Sequence, residues 1–215
     1  MTTNGDILTL AQWLSPSFPV GAFAYSHGLE MAIADGVIGT AGEMQDWLTD
    51  VLRNGSGRND CILLRAAYGC ADREALDMVN AHGVANSSSA ERRMESERQG
   101  AAFTKTVADI WDVDAPEHLF PVAVGAAAAR LNLDPTLTAS MYLHAFVSNL
   151  VSASVRAVPL GQTEGQAVLA ALAPVCTEIA DDTALSSLDD LQSTAFLSDI
   201  AAMRHETLQP RIFRS

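Results

Sequence analysis

The run ASMYLHAFVSNLVSASVRAV, residues 139–158, is the most apolar long stretch of the chain, and its reading decides the fold class. It is long enough to cross a bilayer, but it carries His144, Asn149, several serines and Arg156. That is too polar for an ordinary membrane span, so it reads as the buried central helix of a globular protein. Just upstream, Asp134 and Pro135 supply an N-cap and a first-turn proline for this helix. Asn149 and Arg156 lie seven positions apart, hence on one face of it. An arginine buried there needs a carboxylate or carbonyl partner, and a dimer interface is one place to find it.

Outward from this run the pattern stays helical. Downstream, VPLGQTEGQ breaks the helix, AVLAALAPVCTEIA resumes it, and LQSTAFLSDIAAM leads into the final residues. Upstream, EHLFPVAVGAAAARLNL reads as an alanine-rich helix despite an internal Pro121. AERRMESERQGAAFTKTVADIW reads as a long helix opened by a Ser88/Glu91 capping box. NDCILLRAAYGC, DREALDMVNAHG and ILTLAQWL give three more. GEMQDWLTDVLRNG places Met44, Trp47, Leu48, Val51 and Leu52 on one stripe. AFAYSHGLEMAIADG, after the double-proline loop SPSFPVG, reads as one helix ending at Gly36. No stretch alternates as strands do, and no repeat recurs at a fixed period. The expected fold is all-α, a single compact domain over residues 1–215 of roughly eight to ten helices.

The chain has 215 residues, 48% of them hydrophobic, enough for a substantial core. Its formal net charge of -13 repels phosphate backbones, so nucleic acid is not an expected partner, and a basic partner fits better. Of the thirteen basic residues only Lys105 is a lysine, which favours fixed bidentate pairing by the arginines. Cys61, Cys70 and Cys176 show no zinc or disulfide spacing and read as free thiols in a reducing cytosol. MTTNGDILTL lacks the features of a signal peptide, so the expected location is cytoplasmic, with no membrane association.

The motifs of catalysis fail in informative ways. Lys105 follows GAAFT, not a P-loop, so no nucleotide cofactor site of that kind is expected. The glycines of DGVIGTAGE have no preceding strand and read as turn glycines. HETLQ has Gln209 where a zinc protease needs its second histidine. DDTALSSLDD lacks the third aspartate of a magnesium site and reads as helix caps and a solvated face. His27, His82, His118, His144 and His205 are scattered without ligand spacing. The expectation is no catalytic residue, no metal site and no cofactor.

What remains is a set of polar residues in unexpected places. SPSFPVGAFAYSHGLE, ESERQGAAF, FPVAVGAAAARL, YLHAFVSNLVSASVRAVPLGQTEGQ and SDIAAMRHETLQPRIFRS, in this order and over nearly the whole chain, resemble the urease accessory protein F (UreF) family. His27 stands where that family usually has glutamine, and Ile212 where leucine is commoner. The resemblance implies an all-helical, dimeric, non-enzymatic chaperone of urease maturation. It implies partners too: a UreD/UreH-like accessory protein, a UreG-type GTPase that supplies the nucleotide site, and apo-urease, which receives two nickel ions beside a carbamylated lysine. Any involvement of this chain with nickel is then indirect. Both a GTPase-activating role and a gating role fit the family. Two other classes stay open, a helical regulator of another GTPase and a helical metal-dependent enzyme.

The resemblance also gives the chain's last residues, about 204–215, a part in binding the UreD/UreH-like partner and in building the GTPase surface. The preceding stretch, from Ala157 to Met203, has no lysine or arginine, whereas RHETLQPRIFRS brings Arg204, His205, Glu206, Arg211, Phe213 and Arg214. An aromatic residue between two planar cations is the composition of an interface hot spot. The competing reading has the arginines pairing with this chain's own carboxylates and Phe213 packing on its own core. Gly21, Tyr25 and Ser26 either shape a partner surface or pin a helix entrance. Glu97, Arg98 and Gln99 serve a partner or act as neighbours along one helix. Asn149, Arg156 and Gln162 complete the candidate partner-binding set. The alanine-rich segment and the helix of Asn149 offer more apolar face than one small core needs, which points to a homodimer.

Overall fold

In the computed structural model, which describes residues 2–114 and 116–215, the central helix is α8, Pro135–Ala157. Met1 and Ala115, inside the expected 1–215 domain, lie outside the described residues. The Asp134 side chain accepts from the Leu137 N–H at 2.7 Å, and Pro135 opens the helix, as the sequence dictates. Leu143, Val147, Leu150 and Val151 are buried, placing α8 at the centre of the main core.

Around it lie α1 (Asn4–Trp13), α2 (Leu29–Ala34), α3 (Ala41–Asn54), α4 (Ser56–Tyr68) and α5 (Arg73–Ala85). The chain continues through α6 (Ala90–Trp111), α7 (Phe120–Arg130), α9 (Gln162–Asp182) and α10 (Phe196–His205). Three short 3-10 turns complete the order, and no strand occurs among the described residues. The protein is all-α and forms one compact domain.

Packing explains the alanine-rich segment. Pro121 through Ala128 are all buried, because α7 runs between α4 and α6. Gly125 lies so close to α4 that a Cβ would strike the Leu64 carbonyl, so a small residue is required there. The apolarity of α7 is therefore consumed inside the chain and leaves no surplus face for a second copy. Pro121 is not internal to the helix but sits in its first turn, where a missing N–H is harmless.

Two other expectations change. The cap of α6 is Ser89, which accepts from the Arg92 N–H at 3.1 Å, and Glu91 turns inward instead of closing a capping box with Ser88. AFAYSHGLEMAIADG is not one helix: His27 (φ 61°) and Gly28 (φ 76°) are left-handed and separate a 3-10 turn, Ala22–Ala24, from α2. Gly36, also left-handed at φ 72°, does end α2.

Candidate functional site

The site is built on α10 and the residues after it. α10 packs on α2 and α6 through Ser198, Ala201, Ala202 and His205. Close approach to α2 depends on Gly28, where a Cβ would stand 2.6 Å from the Ala202 nitrogen. This contact brings the end of α10 over two buried glutamates, Glu30 of α2 and Glu91 of α6.

A buried carboxylate costs several kcal/mol unless donors surround it, and here residues 205–215 supply them. Glu30 accepts from the Ile212 N–H at 2.6 Å and the Phe213 N–H at 2.9 Å, and its Oε2 lies 3.2 Å from His205 Nε2. Glu91 Oε2 lies 2.7 Å from His205 Nδ1, and its other oxygen accepts from Arg211. His205 itself is fully buried. One turn along α6, Glu95 accepts from Gln99 at 3.1 Å and from the Ser215 hydroxyl at 2.6 Å, and pairs with Arg92. The Arg214 N–H donates to the Ala24 carbonyl at 2.9 Å, and the Ser26 N–H to the Ser215 carbonyl at 2.8 Å. Phe213 is 3% exposed beneath Arg156, whose guanidinium carbon stands 4.8 Å from the ring centroid. The tail is thus seated on its own chain. Arg211 pairs with an internal carboxylate and Phe213 packs internally, while Ile212 and Arg214 remain exposed.

Several other predicted residues converge on the same region. Asn149 Nδ2 donates to the Ala22 carbonyl at 2.9 Å, and Arg156 donates to the Phe23 carbonyl at 3.0 Å and to Ser152 at 3.1 Å. Their shared face is borne out, but Arg156 is exposed, not buried, and finds its carbonyls within the chain. Both residues clamp the turn that begins at left-handed Gly21 (φ 72°) and leads to buried Tyr25 and Ser26. Arg204 is bidentate to Asp35 at 2.5 and 3.3 Å, and Glu206 accepts from the Ala90 N–H at 2.9 Å, near the start of α6. Three residues lie apart from this cluster or outside its bonding: Glu97, which pairs with Arg93 at 2.7 Å, exposed Arg98, and exposed Gln162 at the start of α9.

Beside the tail, a groove of about 770 Å³ runs along α8, lined in part by Met141, His144, Ser148 and Asn149. At its inner end the Tyr142 hydroxyl donates to Asp60 at 2.7 Å. Burial pushes the Asp60 carboxyl up to about 6, against the lowering effect of that hydrogen bond. Behind Phe146, burial, reinforced by the nearby charge of Arg92, drives His27 well below the ordinary imidazole range. Its Nε2 lies 2.6 Å from the Ser56 hydroxyl. Burial raises the Cys61 and Cys176 thiols, Cys176 to about 12, so neither is a ready thiolate. No group of three or more histidine, cysteine, aspartate or glutamate side chains is arranged to hold a metal ion among the described residues.

The sequence reading missed Glu30, Glu91 and Glu95. Glu91, Glu95 and Gln99 recur every four residues, a polar stripe on one face of α6, and Glu30 interrupts an apolar run. Those were the available signals. A stripe of this kind looks like a solvated face until the tail, more than a hundred residues away, covers it.

A family model described as UreF matches residues 38–173. Among curated proteins named "Urease accessory protein UreF", that of Ruegeria pomeroyi is 51% identical over 99% of this chain and 98% of its own length. One from Cereibacter sphaeroides is 53% identical over 99% of this chain and 100% of its own, and one from Jannaschia sp. is 43% identical over 99% and 96%. With a family match over more than half its length and such identities over nearly all of it, this chain belongs to the urease accessory protein UreF family.

Proposed function

We propose that the protein is a non-catalytic adaptor of urease maturation. It assembles with a UreD/UreH-like protein and a UreG-type GTPase to support insertion of nickel, the cargo, into apo-urease. The observation that carries this reading is the outer face of α10. Phe196, Leu197, Ile200 and Met203 recur at helical spacing and are 65, 66, 50 and 52% exposed, while the opposite face is packed. A contiguous apolar stripe of this kind marks a protein interface. The tail that follows it keeps Ile212 and Arg214 at the surface. Its seating supports a role in which residues 204–215 present a formed platform, not a loose peptide.

The groove along α8 supports a homodimer, because it leaves Met141 and Phe146 half-buried at the surface of the central helix. Free cysteines fit a reducing, cytoplasmic setting. None of the helices among the described residues is long and apolar enough to cross a membrane.

The test is co-expression of the chain, wild type or carrying Leu197→Asp with Ile200→Asp, with a UreD/UreH-like protein. Both side chains are exposed, so circular dichroism and melting temperature stay as in the wild type while capture of the partner is lost. Undiminished capture by the double variant overturns the assignment of this face.

A further inference from the structure

Asp60 stands at the inner end of the groove along α8, and its two oxygens are unequally served. Oδ2 accepts from the Tyr142 hydroxyl at 2.7 Å, while Oδ1 accepts no hydrogen bond from the described residues and is open to the groove. The charges around it balance without it. On α6, Arg92 attracts Asp60 and Glu95 repels it, and the two are paired with each other. The buried thiols of Cys61 on α4 and Cys176 on α9 are neutral, and His144 of α8 is exposed. An ionised Asp60 is therefore a carboxylate with one hydrogen bond and no counter-charge of its own. In a partly desolvated site that arrangement is costly, and a cation offsets the cost.

The groove walls select the kind of cation. They carry Trp13, Phe18, Phe146 and Phe120, whose ring centroid lies 5.5 Å from that of Tyr142. Aromatic faces attract organic cations and also pack against apolar bodies. A metal ion is poorly served by comparison, because a lone carboxylate oxygen is too few ligands for it. The volume of about 770 Å³ suits a small organic molecule. We propose that the inner end of the groove binds a protonated amine carried on an apolar, preferably aromatic, body, with the ammonium donating to Asp60 Oδ1. The site is separate from the outer face of α10, and it rests neither on the adaptor reading nor on a second copy at the groove.

The pH dependence follows from linkage. Burial raises the Asp60 carboxyl to about 6, so below that value binding of the ammonium must first release a proton. Affinity for the amine therefore climbs as pH rises toward 6, by at most about tenfold per unit, and levels off above it.

The experiment titrates the isolated full chain with benzylamine, and with benzyl alcohol as its neutral counterpart, between about pH 5 and pH 8. Ligand-observed NMR reads the binding and gives both dissociation constants. The amine is preferred to the alcohol by about tenfold or more at pH 7.5, the worth of one charge-assisted hydrogen bond. In Asp60→Asn, whose side-chain oxygen still accepts from Tyr142, the preference disappears while the alcohol binds as before. Tyr142→Phe removes the hydrogen bond that lowers the Asp60 carboxyl, so the affinity levels off at a higher pH than in the wild type. Absence of binding, equal affinity for the two compounds, an amine affinity that is flat below pH 6, or a preference retained in Asp60→Asn overturns the site. None of these measurements uses a maturation partner, so their failure is distinct from failure of the adaptor reading.

Discussion

Replacing Phe213 with alanine tests how the tail is held. The side chain is 3% exposed and roofed by Arg156, and the amide of the following residue, Arg214, is tied to the Ala24 carbonyl. Truncating a buried phenylalanine costs ~3–5 kcal/mol, and the lower figure applies here because the ring lies at the edge of the fold. The loss cannot exceed the whole docking free energy of the tail, since beyond that point residues 205–215 simply lift off. For a chain of this size ~3 kcal/mol corresponds to a fall of about 6–12 °C in melting temperature. Differential scanning calorimetry at neutral pH, with two-state behaviour checked by circular dichroism, measures it. Ile212→Ala serves as the internal control: it is the next residue, 72% exposed, and should cost less than about 0.5 kcal/mol. A Phe213→Ala melting temperature within a degree of wild type would refute the seating as a source of stability and return Phe213 to the role of a free hot-spot anchor.

Asp60→Asn should stabilise the protein at pH 8. The folded carboxyl is raised to about 6, so its protonated form is favoured; that contribution is complete below about pH 4 and lost as pH rises through about 6. The variant should exceed wild type by up to about 2 kcal/mol in urea unfolding at pH 8, with no gain near pH 4. Gly28→Ala should cost at least ~2 kcal/mol, because a left-handed backbone and a 2.6 Å clash with Ala202 act together; a neutral result would show that α2 and α10 separate freely. Titration calorimetry should find no tight one-to-one nickel binding by the isolated chain, and a GTPase assay no turnover, in line with scattered histidines and the lack of a P-loop.

Local chemistry made much of the fold readable. Asp134 and Pro135 begin α8 where expected because a cap and a first-turn proline act within one turn. The common face of Asn149 and Arg156 followed from helical periodicity, and both reach one turn. Readings failed where geometry from elsewhere intervened. AFAYSHGLEMAIADG read as one helix, but Gly28 must pass against Ala202, and that approach breaks the segment. Ser88 was the expected cap, but its neighbour Ser89 takes that place, and Glu91 is claimed by His205 and Arg211 instead of closing a box. The tail left two readings open, since nothing near Phe213 in sequence specifies the pocket that receives it.

The seating of residues 205–215 also bears on synthesis. Glu30 is separated from the Phe213 amide by 183 positions, so translation delivers the acceptor long before its donors. At typical elongation rates the delay is on the order of 10–40 s. Throughout that interval α2 cannot settle into its final place without stranding a carboxylate in apolar surroundings, a cost that keeps the segment hydrated. The α4–α7 and α8–α9 pairs, closer in sequence, are under no such restriction. The nascent chain therefore matures from its middle outward, and the Glu30 region, among the first portions made, is among the last to become native.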